Sequence, residues 1–202
     1  MSENMSDYLR YFNDSLAAFL APVAKSKASE LAELITNKFK SVEGAFSAPW
    51  SDLVSCVGEK VAVYLKTASA VISRRICERF EMGVPHTRAE VADYFVGLYL
   101  VEDVEKVSVM LKDENDAVID CRVVSEGTVN SSDILPRKIV QTAIAKGSKK
   151  IILAHNHPRG VAAPSEEDLK LTHGIADLLA MVGIRLEYHV IVAGTEANII
   201  DN

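Results

Sequence analysis

Two histidines and an aspartate in the second half of the chain are spaced so that they could bind one metal ion. His155 and His157 are two residues apart and follow a short apolar run, Lys150–Ala154, which predicts a strand. Residues two apart in a strand point the same way, so both imidazoles can face one ion. Asp168 comes eleven residues after His157, in the first turn of a predicted helix, and can complete the site. Two nitrogen ligands and one oxygen ligand, with a fourth position for water, are typical of catalytic zinc.

Each of these residues also has an ordinary structural explanation. A His-x-His pair at a strand end is common by chance. The pattern Ser165-x-x-Asp168 equally indicates a helix N-cap with an acid in the first turn. Pro158, Gly160 and Pro164 fit a loop between strand and helix. The combination favours a metal site, where zinc lowers the pKa of its water to near 7 and polarises a carbonyl.

The elements that must position these residues alternate between helices and strands. Thr87-x-x-Glu90 is a capping box that predicts a helix to about Leu100. Apolar periodicity then predicts a hairpin of two strands, a helix, the strand before His155, another helix and a last strand. These ranges are 105–111, 117–124, 136–147, 150–154, 165–182 and 186–192. The order predicts an α/β fold with a small mixed β-sheet flanked by helices.

The first part of the chain predicts helices alone. Apolar residues recur with roughly helical period over 26–40. After the break at Pro49–Asp52, a short helix is predicted at about 51–56 and a longer one at about 59–80. The segment Glu81–His86 contains Gly83 and Pro85, which end helices, and is the best candidate for a linker. We therefore predict an all-α helical domain at 1–82 followed by the α/β domain at 87–202.

The composition excludes several classes of protein. With 49% hydrophobic and 25% charged residues among 202, the chain is typical of soluble globular proteins. The longest apolar run, Leu16–Ala24, is too short to span a bilayer and follows acidic residues, so neither a membrane span nor a signal peptide is expected. Three cysteines without a CxxC pattern exclude a disulfide framework and favour a cytoplasmic location; they are Cys56, Cys77 and Cys121.

The residues around the predicted site resemble the JAMM signature of the MPN/JAB metalloproteases, which is His-x-His, seven residues, Ser, two residues and Asp. The sequence His-Asn-His-Pro, followed by Gly160 and Pro164-Ser165, is similar to the corresponding motif of the bacterial RadC branch of that family. Three further matches extend the resemblance over about residues 87–200. They are Gly127-Thr128, Pro136-Arg137, and Tyr188-His189 where RadC proteins carry Asp-His.

This resemblance implies an MPN/JAB-like fold with cytidine-deaminase-like layering and a role for each residue of the signature. His155, His157 and Asp168 would hold Zn²⁺. Ser165 would hydrogen-bond the developing oxyanion during hydrolysis of an amide such as a peptide or isopeptide bond. The expected partner is therefore a peptide or protein substrate, which the sequence does not identify.

The resemblance also implies an upstream glutamate that takes a proton from the attacking water and returns it to the leaving amine. We place it at Glu105, because Glu105-x-Val107-x-Val109 matches the Glu-leading strand of the family. The base must reach a water on the ion, and only one end of that strand approaches the site. Glu102 and Glu126 lie close by in sequence and remain alternatives.

The chain departs from the RadC pattern in three places. Arg159 replaces a serine, Val161-Ala162 replace the usual Asp-Pro, and Lys138 replaces a glutamate. None of them is an implied metal ligand. The departures therefore bear on substrate recognition and helix contacts rather than on metal binding.

Residues 28–80 resemble, more weakly, the helix-hairpin-helix domain that precedes the catalytic domain in RadC proteins. Such a domain binds DNA phosphates through backbone N–H groups of a Gly-hydrophobic-Gly turn. Here the turn reads Cys56-Val57-Gly58, without the first glycine, and residues 1–86 carry no net charge within a chain of net charge −6. Docking or dimerisation is the default prediction for this domain. For the function of the whole chain, the alternative to a zinc-dependent hydrolase is a DNA-associated repair or recombination protein with a structural or vestigial metal site.

Overall fold

A computed structural model describes the backbone of residues 2–40, 42–127, 134–158 and 160–201. Side chains are described for residues 11, 13–40, 44–127, 135–158 and 160–201. Thr128 and Arg159, which the resemblance singled out, lie outside the described residues. The chain divides into two compact units, Met1–Ile72 and Ser73–Asn202.

The described residues of the first unit form helices and the short turns between them, as predicted. Its apolar core contains the fully buried side chains of Leu20, Ile35, Leu53 and Leu65. Its elements are α1 (Ser2–Ala24), a 3₁₀ turn (Lys25–Lys27), α2 (Ala28–Phe39), α3 (Val42–Ser47), α4 (Trp50–Val57) and most of α5 (Glu59–Glu78). None of the helices that the structure describes is long and apolar enough to cross a membrane.

Helices α4 and α5 form the predicted hairpin around Gly58. The φ of Gly58 is 77°, a left-handed value that glycine adopts at little cost. Its N–H donates to the Val54 carbonyl at 2.9 Å and its carbonyl accepts from Ala62 at 3.0 Å, so both helices are bonded through the turn. Cys56, at the position of the missing glycine, is half-buried against the helical core. DNA binding by this hairpin stays a prediction.

The second unit has the predicted mixed sheet flanked by helices. The strand order is β2-β1-β3-β4-β5, and β3 and β4 are parallel whereas the other neighbours are antiparallel. Its elements are α6 (Arg88–Tyr99), β1 (Lys106–Lys112), β2 (Val118–Glu126), α7 (Ile134–Ala145), β3 (Lys150–Asn156), α8 (Glu166–Met181), β4 (Arg185–Ala193) and β5 (Glu196–Asp201). The capping box at Thr87 and Glu90 is confirmed at the start of α6.

Alternating residues of the strands face two different helical layers. On one face, Val109 and Leu153 pack with residues of α7 and α8, such as Ile139 and Ile175. On the other face, Met110, Ile152 and Ala154 pack with residues of α6. His155 follows Leu153 by two residues. The pleat of β3 therefore directs it to the face that α8 covers.

The expectation that the strand at 186–192 would be the last one was wrong. A fifth strand, β5, pairs with β4 in antiparallel register from Ala193↔Glu196 to Tyr188↔Asp201. Gly194 and Thr195 alone join the two strands, and the φ of Gly194 is 60°. The residues of β5 are exposed or half-buried. A strand without an alternating apolar face gives little periodicity, so its existence depends on pairing with β4.

The predicted linker bonds to the sheet. The N–H of Gly83 donates to the Val118 carbonyl at 2.8 Å, and the N–H of Val118 donates to the Val84 carbonyl at 3.1 Å. These bonds attach the segment to the start of β2. The division between the compact units lies earlier, between Ile72 and Ser73. The domain bounds 1–82 and 87–202 stay a prediction.

Two glycine substitutions test the packing of the second unit. A Cβ on Gly97, in α6, would lie 2.5 Å from Cγ2 and 2.7 Å from Cβ of Ile76. We expect Gly97→Ala to lower the free energy of unfolding by about 1–3 kcal/mol, because the overpacked side chains must move. The measurement is chemical denaturation followed by circular dichroism.

Gly174→Ala is the matched control, because nothing lies within 4 Å of the Cβ it would add to α8. It should raise the stability by roughly 0.5–1 kcal/mol through helix propensity. Equal effects of the two substitutions would contradict the close packing at Gly97.

Candidate metal centre

Strand β3 brings the two histidines to the edge of the sheet where it ends. His155 lies opposite Val107 of β1 and opposite Ile191 of β4, so both neighbouring strands fix its backbone. His157 is just beyond the strand, and its N–H donates to the Val192 carbonyl at 2.7 Å. This bond continues the pairing with β4 past the end of β3. The main chain of both histidines is therefore held by backbone hydrogen bonds at the carboxyl end of a central strand, and the two imidazoles start from fixed positions.

Asp168 comes from the first turn of α8, where it forms a capping box with Ser165. The Asp168 N–H donates to the Ser165 hydroxyl at 3.1 Å, and the Ser165 N–H donates to Oδ2 of Asp168 at 2.8 Å. The Ser165 hydroxyl also donates to Oδ2, at 2.7 Å. The N-cap predicted as the structural explanation of this pattern is confirmed. The same bonds orient the carboxylate towards the histidines.

The three predicted ligands converge. Nε2 of His155 lies 2.8 Å from Nε2 of His157 and 3.1 Å from Oδ1 of Asp168. Nε2 of His157 lies 3.5 Å from Oδ2 of Asp168. Ligands about 2.0–2.1 Å from a tetrahedral zinc ion lie about 3.3–3.4 Å apart, so these separations fit such an ion after shifts of at most about half an ångström.

The burial of the three side chains decreases across the site. The side chain of His155 is 2% exposed, that of Asp168 12% and that of His157 22%. The group is therefore open to solvent on the side of His157. Burial by itself raises the pKa of the Asp168 carboxyl, but hydrogen bonds with His155 and Ser165 outweigh it and hold that pKa far below its usual range. The Asp168 carboxyl is thus ionised, which makes it a candidate anionic ligand for a cation.

Each imidazole is also held through its other nitrogen. Nδ1 of His157 lies 2.9 Å from the Val161 carbonyl, which can only accept, so this nitrogen carries the proton and Nε2 is left for a ligand bond. Nδ1 of His155 lies 2.8 Å from Nε2 of His189, and Nδ1 of His189 lies 2.7 Å from the Thr172 hydroxyl. Burial and the nearby His155 lower the pKa of His189 to about 3.

The three candidate glutamates have different surroundings. Nζ of Lys106 lies 2.6 Å from Glu102 and 3.7 Å from Glu126, so both alternatives are ion-paired with one lysine. Glu105 is exposed and directly precedes β1. Among the described residues, its carboxylate has no hydrogen-bond or ion-pair partner.

Asn156, between the two histidines, holds the backbone on both sides of Glu105. Its Oδ1 accepts from the Lys106 N–H at 2.7 Å, and its Nδ2 donates to the Val104 carbonyl at 3.0 Å. Asn156 is 3% exposed, so these bonds are shielded from water. The segment that carries Glu105 is therefore attached to the residue between two candidate ligands.

Comparison with known proteins agrees with this geometry. The protein-family model described as the RadC-like JAB domain matches residues 86–199 of the sequence. A UPF0758 protein of Janthinobacterium sp. (strain Marseille) is 31% identical over 183 residues, covering 89% of this chain and 82% of the relative. A UPF0758 protein of Photobacterium profundum is 34% identical over 185 residues, covering 90% and 83%. The chain belongs to the RadC family.

Two of the three departures from the RadC pattern lie among the described residues, and neither of them removes a candidate ligand. Val161 contacts His157 through its backbone carbonyl, and a substitution there keeps this bond. Lys138 is exposed on α7. The third departure, Arg159, is outside the described residues. The RadC motif at Tyr188-His189 proves informative, because His189 contacts His155 directly.

His189 and Thr172 are absent from the site residues predicted from the sequence. Thr172 lies four residues after Asp168 on α8, so the two share a helix face. That spacing was the available signal. The other two histidines, His86 and His173, lie outside the metal group. His86 stacks on Phe80 with ring centroids 3.8 Å apart, and His173 is exposed.

Substitution of Asp168 tests the ligand set. We expect about one zinc ion per chain in the wild type and little in Asp168→Asn, because the amide brings no charge to a site that needs an anionic oxygen. Zinc content is measured by atomic emission after dialysis without chelators. Thermal unfolding shows whether the variant is folded.

Glu167→Gln is the matched control, since Glu167 is an exposed acid in the same first turn of α8. It should keep the zinc of the wild type. A folded Asp168→Asn that retains a full complement of zinc would exclude Asp168 as a ligand.

Proposed function

We propose that this protein is a zinc-dependent hydrolase that cleaves an amide, such as a peptide or isopeptide bond. The observation that carries the proposal is the convergence of His155, His157 and Asp168 at the exposed end of β3. Membership of the RadC family supports it, since the JAB domain is the fold of the JAMM metalloproteases. The reaction and the substrate class are part of the proposal.

The donor set favours a catalytic ion over a structural one. Structural zinc is usually enclosed by four protein ligands, whereas catalytic zinc has three and an open position. The metal group among the described residues has two nitrogens and one carboxylate, and it opens to solvent beside His157. A zinc ion held there would polarise the substrate carbonyl and lower the pKa of a water molecule to near 7.

Glu105 is the proposed general base. Alternation along β1 places residues 107, 109 and 111 on the face that α8 covers, and continuing it by two residues directs Glu105 to the face of His155. Lys106 points the other way, towards Glu102 and Glu126. An exposed carboxylate at this end of β1, unpaired within the described part of the chain, can accept a proton from the attacking water and donate it to the leaving amine.

Ser165 is the proposed hydrogen-bond donor to the oxyanion. Its oxygen accepts from the Asp168 N–H, which fixes the position of the hydroxyl, while its proton can rotate. In the structure this proton points to Oδ2 of Asp168. Rotation towards the exposed side would let the hydroxyl bond the charge that develops on the carbonyl oxygen.

The substrate is proposed to lie along the loop that follows His157. Val161, Ala162 and Ala163 of this loop line a pocket of about 440 Å³ together with residues 196–198 of β5. Val161 and Ala162 are two of the positions where this chain departs from the RadC pattern. An apolar pair here in place of Asp-Pro is expected to favour apolar side chains next to the cleaved bond.

Removal of the Glu105 carboxylate tests the reaction. We expect Glu105→Gln to keep about one zinc ion per chain and to lose roughly 10²–10⁴-fold in the rate of amide cleavage, because the proton acceptor is lost while the ligands remain. The probe is a peptide library with added isopeptide-linked pairs, and cleavage is followed by mass spectrometry.

Glu126→Gln is the control, because this nearby carboxylate is paired with Lys106. It should cleave at the rate of the wild type. Undiminished cleavage by Glu105→Gln would exclude Glu105 as the base. Zinc-loaded wild type that cleaves no member of the library would count against the hydrolase proposal.

A further inference from the structure

Thr172 and His189 connect two of the metal ligands through a buried chain of hydrogen bonds. The chain runs from the Asp168 carbonyl to the Thr172 hydroxyl at 2.6 Å, on to Nδ1 of His189 at 2.7 Å, and from its Nε2 to Nδ1 of His155 at 2.8 Å. Thr172 is 1% exposed and His189 is completely buried. Water is therefore excluded from these bonds, and the partners in the chain must satisfy one another.

The direction of each bond follows from the chemistry of its partners. The Asp168 carbonyl can only accept, so the Thr172 hydroxyl donates its single proton there. The Thr172 oxygen is then an acceptor for its other partner. Nδ1 of His189 must therefore carry a proton and donate it to Thr172.

The position of the proton in His189 also fixes the position of the proton in His155. An imidazole buried in an apolar layer is neutral and carries one proton, which in His189 is on Nδ1. Nε2 of His189 is then an acceptor, and Nδ1 of His155 donates to it. With Nδ1 protonated, Nε2 of His155 is the nitrogen that offers a lone pair to a metal, and it faces Asp168 and His157.

We propose that Thr172 and His189 are positioning residues that fix the tautomer and the ring orientation of the ligand His155. The inference rests on the proposed metal site but not on hydrolysis. The chain begins at the carbonyl of Asp168, so the helix that carries one ligand also orients the other. Partners that orient metal-bound histidines in this way typically contribute 10–100-fold to metal affinity.

The fold explains why these two residues can do this. Thr172 follows Asp168 by one helical turn, and its side chain points to the same side of α8. His189 lies in the middle of β4, opposite Leu153 of β3 and Ile200 of β5. Its ring fills the space between the sheet and α8, directly behind His155.

Thr172→Val tests the proposal, because valine keeps the shape and removes the acceptor for His189. We expect its affinity for Zn²⁺, measured by competition with a chromophoric chelator, to fall about 10–100-fold. Thr172→Ser retains the hydroxyl and should restore most of the affinity. The matched control is Thr142→Val, which removes another threonine hydroxyl bonded to a carbonyl four residues earlier, at 2.7 Å, on α7. It should bind zinc as the wild type does.

Nitrogen-15 NMR of the histidine rings gives a second measurement that needs no catalysis. In the metal-free wild type, His189 should be protonated on Nδ1 and bare on Nε2, and Thr172→Val should shift this proton towards Nε2. A wild-type His189 protonated on Nε2, or unchanged zinc affinity of folded Thr172→Val, would overturn the proposal. If the wild type bound zinc and showed this tautomer but cleaved no amide, the proposed function alone would fail.

Discussion

The pairing of β3 with a strand on each side is the constraint on which the rest of the site depends. Because β1 is antiparallel to β3 and β4 is parallel to it, the start of β1 and the ends of β3 and β4 meet at one edge of the sheet. Both histidines and the segment that carries Glu105 lie at that edge. The Val192 carbonyl, which accepts from the His157 N–H, lies there too. A slip of one residue in the register would turn His155 to the face of α6, away from Asp168.

At the N-terminus of α8, Ser165 and Asp168 start the helix and also position the carboxylate that faces the two histidines. A carboxylate in the first turn is stabilised by the free N–H groups there and by the positive end of the helix dipole. Ser165 and Asp168 satisfy each other in a capping box, which also holds the pKa of the carboxyl low. Helix initiation and an ionised candidate ligand therefore arise from the same pair of residues.

The layer between the sheet and α8 has apolar and polar parts with different functions. Away from the edge it is an apolar core that includes Leu153 and Ile175. Towards the edge it contains the chain of Thr172, His189 and His155, in which the ring nitrogens and the hydroxyl are hydrogen-bonded. A buried polar group without a partner is costly, so such a chain is stable only when complete. The complete chain of hydrogen bonds therefore holds His155 and His189 each in one orientation.

The sequence by itself determined the features that depend on neighbouring residues. The α/β order, the capping boxes at Thr87 and Ser165, and the grouping of the His155, His157 and Asp168 side chains could be predicted, since helix period, strand alternation and cap chemistry act within a few residues. The tertiary structure alone decided that β5 exists, that Lys106 pairs with Glu102 and Glu126, and that Thr172 and His189 stand behind His155. These depend on strand register and on the seating of α8, which join residues far apart in the chain, and local periodicity carries no record of such contacts.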